Sequence, residues 1–381
     1  MKKLLITALM LCFVSADEFF EPKTTIGGYG ELHYDMEAND GDGKLDFHRF
    51  IIFYKHQFSP EWSMMSEVEI EHNMVYSSSG SDDGGGYLAM EQAHLDYWNG
   101  TWGWQGGVIL VPAGITNEYH EPPTFMSVER PEYNKYIIPS TWFENGFSFY
   151  GNMGNVNWNF TMTGDMLGNK IGSSNQALRK ARLKGFESTT TDWTKTLQLS
   201  WTGMEGLKVG GSVTMNDAPV WALDDDGEYD YKDQTGTAGF TLTEVNATYS
   251  KNNMYARFEN GNISYDGVAG LESSSGYYLD LGYDIADLVG CDDSNMYVWT
   301  RTSAYNTTDT GNDTEISLFG LTYKPANNVS IKFENPDAVN QFENNYVNII
   351  SDLKESLVFK ENNFVGVCAY TYEKEAASTE M

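Results

Sequence analysis

The 381-residue chain is poor in features that define several other classes of protein. Only Cys291 and Cys368 lie beyond residue 16, so no disulfide framework is indicated, and whether these two pair is left open. No apolar run beyond residue 16 approaches the roughly 18 residues of a membrane-spanning helix. Lysine and arginine number 24 against 54 acidic residues, a net charge of −30, which argues against nucleic acid as a partner.

Catalytic and metal-binding signatures are also scarce. The six histidines show no HExxH spacing, and no GxSxG or glycine-rich phosphate loop is present. The acidic segment 224–230 lacks the ligand pattern of an EF-hand. We therefore predict no enzyme activity, no metal site and no cofactor, with weak divalent-cation binding by the acidic loops as an alternative.

The first 16 residues read as a cleaved secretory signal peptide. Lys2 and Lys3 precede the apolar segment 4–14, and Ser15 and Ala16 supply a small-residue cleavage site. The apolar run is too short for a membrane anchor. Removing the two lysines with it leaves 22 basic residues against 54 acidic ones.

Many segments of the chain alternate between apolar and polar residues. In segment 154–165, Trp158 and Phe160 alternate with Asn157, Asn159 and Thr161, the period of a strand with one apolar face. The links between such segments alternate between short turns and long loops, for example 99–101 followed by 112–141. This order is typical of a transmembrane antiparallel β-barrel with short periplasmic turns and long external loops.

The alternation predicts an all-β fold of about sixteen strands, with fourteen or eighteen as alternatives. Residues 17–373 would form one barrel domain and 374–381 a C-terminal tail. The predicted strands cover residues 24–36, 45–58, 61–73, 86–98, 101–111, 142–151, 154–165, 193–202, 207–216, 237–249, 252–260, 276–287, 295–306, 313–324, 328–335 and 363–373. A barrel of this size leaves an aqueous channel.

The third long loop, residues 112–142, differs from the others. After Pro112 it carries four of the ten prolines, which favour an ordered loop, whereas segment 77–86 is rich in glycine and serine. We expect it to fold into the barrel and narrow it, and the alternative is that it packs at a subunit interface. The charged residues that would line the constriction are Glu118, His120, Glu121, Glu129, Arg130, Glu132 and Lys135.

Seven segments resemble the phosphate-selective porin O and P family: YGELHY (29–34), DFHRF (46–50), SEVEIEH (66–72), EQAHLDY (91–97), NEYHEPPTF (117–125), VERPEY (128–133) and IIPSTW (137–142). The resemblance covers most of the chain beyond residue 16. It implies a sixteen-stranded, usually trimeric pore in the bacterial outer membrane, embedded in its lipid. It also implies passive diffusion of small anions past basic residues of the lumen.

The charge pattern departs from that family, because no arginine series at strand spacing is visible. The candidate lumen charges are Arg49, Lys55, Glu67, Glu69 and Glu71, although the faces of strand 45–58 are ambiguous. The densest basic cluster, a candidate lure for anions, comprises Arg179, Lys180, Arg182 and Lys184. The favoured function is a porin for ions and small hydrophilic solutes. The alternatives are an acidic surface protein or adhesin and a barrel hydrolase, for which Glu67, Glu69 and Glu71 would supply paired carboxylates.

Overall fold

A computed structural model describes residues 20–36, 43–74, 85–174, 176–291, 293–307, 314–326, 329–335 and 365–376. Sixteen strands form one closed antiparallel barrel in which each strand pairs with its neighbours along the chain and β1 pairs with β16. The strands are β1 Lys23–Met36, β2 Gly43–Gln57, β3 Trp62–Glu71, β4 Tyr87–Trp98, β5 Trp102–Leu110, β6 Phe143–Met153, β7 Val156–Thr163, β8 Thr194–Met204, β9 Leu207–Leu223, β10 Tyr229–Lys251, β11 Met254–Asp266, β12 Ser273–Asp284, β13 Asn295–Asn306, β14 Thr314–Ala326, β15 Val329–Asn335 and β16 Val365–Ala376.

Helical structure is limited to single turns. The α-helices are α1 Ile115–Glu118, α2 Tyr133–Tyr136 and α3 Ala286–Val289, and the 3-10 turns are His72–Met74, Pro122–Thr124, Gly168–Lys170 and Arg179–Ala181. In the part of the chain that is described, none of these helices has the length and apolar character needed to cross a membrane.

The two faces of each strand differ sharply in exposure. On β8, Leu197 and Leu199 are 48% and 49% exposed, whereas Thr194 and Thr196, at alternate positions of the same strand, are each 1% exposed. Because neighbouring strand residues point to opposite faces, the leucines lie on the outside of the barrel and the threonines on the inside. Apolar residues thus cover the outer surface, as expected for a barrel surrounded by lipid.

The predicted strand number and order are confirmed, and most boundaries lie within a few residues of the prediction. The predicted long loop 216–236 is wrong, because β9 continues to Leu223, β10 begins at Tyr229, and the two extend the ladder beyond the neighbouring strands. The loop expected directly after Glu259 starts only after Asp266. The last strand ends at Ala376, three residues past its predicted end at residue 373.

Two loops fold into the barrel interior. The third loop (L3, residues 111–142) and the fourth (L4, residues 164–193) bury an apolar cluster against the inner face of β9–β12. Strands β9–β12 contribute apolar residues to this inner face, including Ala218, Phe240 and Leu242, where other strands carry polar ones. Burial of the apolar side chains of L3 and L4 therefore holds both loops inside the barrel.

Candidate constriction site

L3 is attached to the inner wall along β11–β15. Arg301 on β13 donates from Nη2 to Ser127 Oγ at 2.7 Å, and its guanidinium also holds both carboxylate oxygens of Asp280 at 2.6 and 2.7 Å. Arg257 on β11 donates to the carbonyl of Thr124 at 2.8 Å. These charge-assisted bonds fix the middle of L3 to the wall.

The attachment continues on β14 and β15. Lys332 Nζ donates to the carbonyls of Pro122 and Ser127, the latter at 2.9 Å, and is fully buried. The Glu334 carboxylate accepts from the backbone N–H of Val128 at 2.9 Å. Basic residues therefore do line the inner wall of these strands, but they bind the backbone of L3 and are not free in the lumen.

The beginning of L3 is held by Glu259 on β11. Its carboxylate accepts from the backbone N–H of Ile115 at 2.5 Å and from Thr116 Oγ1 at 3.4 Å, and it is 0% exposed. Gly114 has φ of +77°, and a Cβ there would lie 2.5 Å from Glu259 Oε1. A glycine is required at this point both for the backbone conformation and for the close approach of the carboxylate.

Across the barrel from β11–β15, L3 contacts the inner face of β3 and β4 through His120. The imidazole Nε2 lies 3.0 Å from Glu91 Oε2 and 4.0 Å from Glu67 Oε1, and all three side chains are buried. Burial alone would lower the pKa of His120, but its hydrogen bond to Glu91 and the charges of Glu91, Glu121 and Glu67 outweigh burial and raise the pKa to about 9. Protonated His120 thus bridges L3 and the wall.

The wall itself carries an ion-pair network that the sequence could not assign to a face. Arg49 points into the barrel, where it pairs with Glu31 on β1 and, at 3.0 Å, with Glu69 on β3. It is 5% exposed, so this network is largely shielded from water. Lys55 lies six residues further along the same face of β2 and is exposed.

A second group of basic side chains lies near the long-loop ends of β3 and β4. Arg130 of L3 is electrostatically close to Arg179 and Arg182 of L4, and Lys184 is close to Arg182. Burial and the like charges of these neighbours lower the pKa of Arg182 to about 9 and that of Arg179 to about 10. Among the described residues neither of these two arginines forms an ion pair.

Arg182 also has a structural role. Its Nη1 donates to the carbonyls of Pro139 (3.0 Å) and Thr141, while its Nε donates to the carbonyl of Arg179 at 3.0 Å. L4 is thereby tied to the end of L3. Lys184 of L4 donates from Nζ to Tyr87 Oη on β4 at 3.1 Å.

The other predicted site residues are spread around L3 and do not form one group. Glu118 accepts from Gln198 Nε2 at 2.5 Å, Glu129 lies 3.1 Å from His33 Nδ1, and Glu132 accepts from Tyr305 Oη at 3.0 Å. Residues with less contact are half-buried Glu121 and Glu71 and exposed Lys135 and Lys180.

A cavity of about 630 Å³ opens beneath L3, on the side of the short turns. Glu118 and Tyr119 from L3 form its roof, and Lys208 Nζ lies 5.2 Å from the Tyr119 ring. Its wall consists of inward-facing residues of β4–β9, mostly amides, hydroxyls and aromatics. The cavity is therefore polar and lies between L3 and the short turns.

Several residues that build the site were not recognised in the sequence. They are Glu31, Glu91, Arg257, Glu259, Asp280, Arg301, Lys332 and Glu334. Each lies on the inner face of its strand, and the alternation within β13, where Trp299, Arg301 and Ser303 are buried, was the available signal. The partner in L3 could not be deduced, because it depends on the path of the loop.

Solved porin structures share this fold. A trimer form of OmpT, an outer membrane protein of Vibrio cholerae, matches with a TM-score of 0.54 and 12% identity, over 93% of this chain and 100% of that one. An anion-selective porin from Comamonas acidovorans matches with a TM-score of 0.55 and 10% identity, over 93% and 100%. OmpF of Salmonella typhi, in complex with daunomycin, has a TM-score of 0.53, 11% identity and coverage of 93% and 97%. The chain therefore has the porin barrel fold.

At the sequence level the chain is similar to a protein of Aquifex aeolicus (strain VF5) described as uncharacterized. The two are 37% identical over 192 residues, which is 50% of this chain and 43% of that protein. The match thus spans less than half of the relative's length. No family model matches the chain, so the resemblance to the porin O and P family stays a prediction.

Proposed function

We propose that this protein is a porin of the bacterial outer membrane that lets ions and small hydrophilic solutes diffuse passively, with L3 as its constriction. The observation that carries the proposal is the position of L3, which is bonded to β11–β15 on one side and to Glu91 on the other. Solutes would pass through the remaining polar part of the lumen, and a homotrimer is the assembly we propose.

The charges around the constriction support a preference for anions despite the acidic composition. Three glutamates of the strand wall have basic partners: Glu67 and Glu91 contact His120, and Glu69 pairs with Arg49. These partners reduce the negative field of the glutamates in the lumen. Arg130 and Arg179 have no such partner among the described residues, and Nη1 of Arg130 is buried without a hydrogen bond. Unpaired guanidinium groups attract anions and suit phosphate-like oxyanions.

The test is the reversal potential of the purified protein in a planar bilayer under a potassium chloride gradient. Stepwise conductance with anion preference is expected. Arg130→Gln and Arg179→Gln should each shift the reversal potential towards cation preference. Lys180→Gln is the matched control, because Lys180 lies in the same loop but is exposed.

Two results would contradict the proposal at different levels. Cation preference that is unchanged by Arg130→Gln and Arg179→Gln would overturn the role of the arginines but not the pore. Absence of conductance from folded protein would overturn the pore itself and favour an adhesin or an enzyme.

A further inference from the structure

Three of the six histidines meet at the long-loop end of β1–β3, although they are distant in sequence. Asp46 Oδ2 on β2 lies 3.2 Å from His48 Nδ1 and 2.8 Å from His72 Nδ1, in the turn that follows β3. His33 on β1 stacks on His48, with ring centroids 4.2 Å apart. A register shift between Glu31 and His33 in the β1–β2 ladder brings Asp46 and His48 to the inner side.

Asp46, His48 and His72, here called the outer set, have the arrangement of metal ligands. The His48 and His72 rings are nearly perpendicular, at 86°, with centroids 5.1 Å apart. In a tetrahedral zinc site with bonds of about 2.0–2.1 Å, neighbouring ligand atoms lie about 3.3 Å apart. The observed separations from Asp46 are near this value, and the three ligand atoms all lie within 4.8 Å of one another. Two imidazoles and one carboxylate form a ligand set used for divalent transition metals.

Beneath Asp46, His48 and His72 lies a layer of buried charged side chains. His33 Nε2 and Glu31 Oε2 are buried, lie 3.3 Å apart, and make no hydrogen bond. Glu129 of L3 lies 3.1 Å from the other nitrogen of His33. Arg49 is shared between Glu31 and Glu69. These carboxylates are thus partnered by His33 and Arg49, so Asp46, His48 and His72 themselves would have to hold a cation.

The outer set is open to solvent on one side and is linked to L3 through His33 on the other. The His72 side chain is 43% exposed, so an ion can enter from the solvent and water can complete its coordination. His48 contacts His33, and His33 contacts Glu129 of L3, so an ion at the outer set would be linked to the constriction loop through two side chains.

We propose that Asp46, His48 and His72 bind one divalent transition-metal ion, of the Zn²⁺ type, at the external mouth of the barrel. The ion joins β2 to the turn after β3. This inference does not rest on passive diffusion, because binding is measured without conductance.

The test is isothermal titration of the full, folded chain in detergent with Zn²⁺ alone. Wild-type protein should bind one ion that His72→Gln and Asp46→Asn each weaken by at least about 10-fold. His56→Gln is the matched control, because His56 lies on β2 but is bonded to Thr24 at the other end of the strand. Circular dichroism confirms that each variant retains the β-barrel.

Lack of saturable Zn²⁺ binding by the wild type would overturn the proposal. Equal weakening by His56→Gln and His72→Gln would do the same, as would displacement of Zn²⁺ by an equal concentration of Ca²⁺, which imidazole ligands disfavour. A barrel that binds Zn²⁺ at this site but does not conduct would retain the metal site and overturn the porin proposal.

Discussion

His120 Nε2 lies 3.0 Å from Glu91 Oε2, and this buried pair joins L3 to the strand wall across the barrel from its anchors on β11–β15. The pKa of His120 is raised from 6.5 to about 9, so the protonated form favours the docked loop. A raised folded-state pKa gives stabilisation that is fully present below about 6.5 and is lost as the pH rises through about 9.

We therefore predict that single-channel conductance becomes larger and noisier between pH 6.5 and 9.5 as L3 is released from β4. The His120→Gln variant should lack this step, because glutamine does not titrate. A variant that keeps the same pH step as the wild type would show that another group is responsible.

Replacing Arg301 should destabilise the barrel and loosen L3. Arg301→Met leaves Asp280 buried without a partner, and breaking a buried ion pair in this way costs about 3–5 kcal/mol in unfolding free energy. The double variant Arg301→Met, Asp280→Asn should cost less than the sum of the two single changes. Urea-induced unfolding in detergent measures both quantities, and Thr302→Val, on the exposed face of the same strand, is the control. Purely additive effects would exclude the pairing.

The strands of the barrel wall could be predicted from the sequence more completely than the contacts inside the lumen. Strand number and order follow from short-range alternation, which a sequence displays directly, as in the leucines and threonines of β8. Strand ends were harder to predict from the sequence. The backbones of β9 and β10 pair with each other as far as Leu223 and Tyr229, so both strands extend into a polar segment that was predicted to be a loop. Pairing between strands is not a property of either segment alone.

The lumen depends on contacts between residues far apart in the chain. Arg49 could not be placed, because Arg49 and Ile51 have the same parity and only its pairing with Glu31 and Glu69 identifies the inner face. The predicted inward fold of L3 is confirmed, yet its anchors Arg301 and Lys332 lie more than 170 residues away from the atoms that they bind. Proline content indicated an ordered loop but not the path that it takes.

Gly114 offers a test of how tightly the start of L3 is fixed. Gly114→Ala places a Cβ against Glu259 Oε1 at a φ of +77°, and we expect a cost of about 1–3 kcal/mol and faster proteolysis of L3. Gly154→Ala is the control, because its φ is +63° but nothing lies within 4 Å of the added Cβ. The difference between the two variants measures the contact with Glu259 apart from the backbone strain. Equal costs would show that this contact does not matter.

The assignment of the two barrel faces predicts opposite effects for neighbouring residues of β8. Leu199 is 49% exposed on the outer face, so Leu199→Lys would place a charge in lipid, at a cost of up to about 2–4 kcal/mol if the site is near the middle of the bilayer. Gln198 points into the lumen and contacts Glu118, so a lysine there would meet water and a carboxylate. We expect Gln198→Lys to change stability little while shifting ion preference, and Leu199→Lys to lower the unfolding free energy in lipid vesicles while leaving ion preference unchanged. The reverse result would require the faces of this strand to be exchanged, and with them the lumen charges assigned to the strands that pair with it.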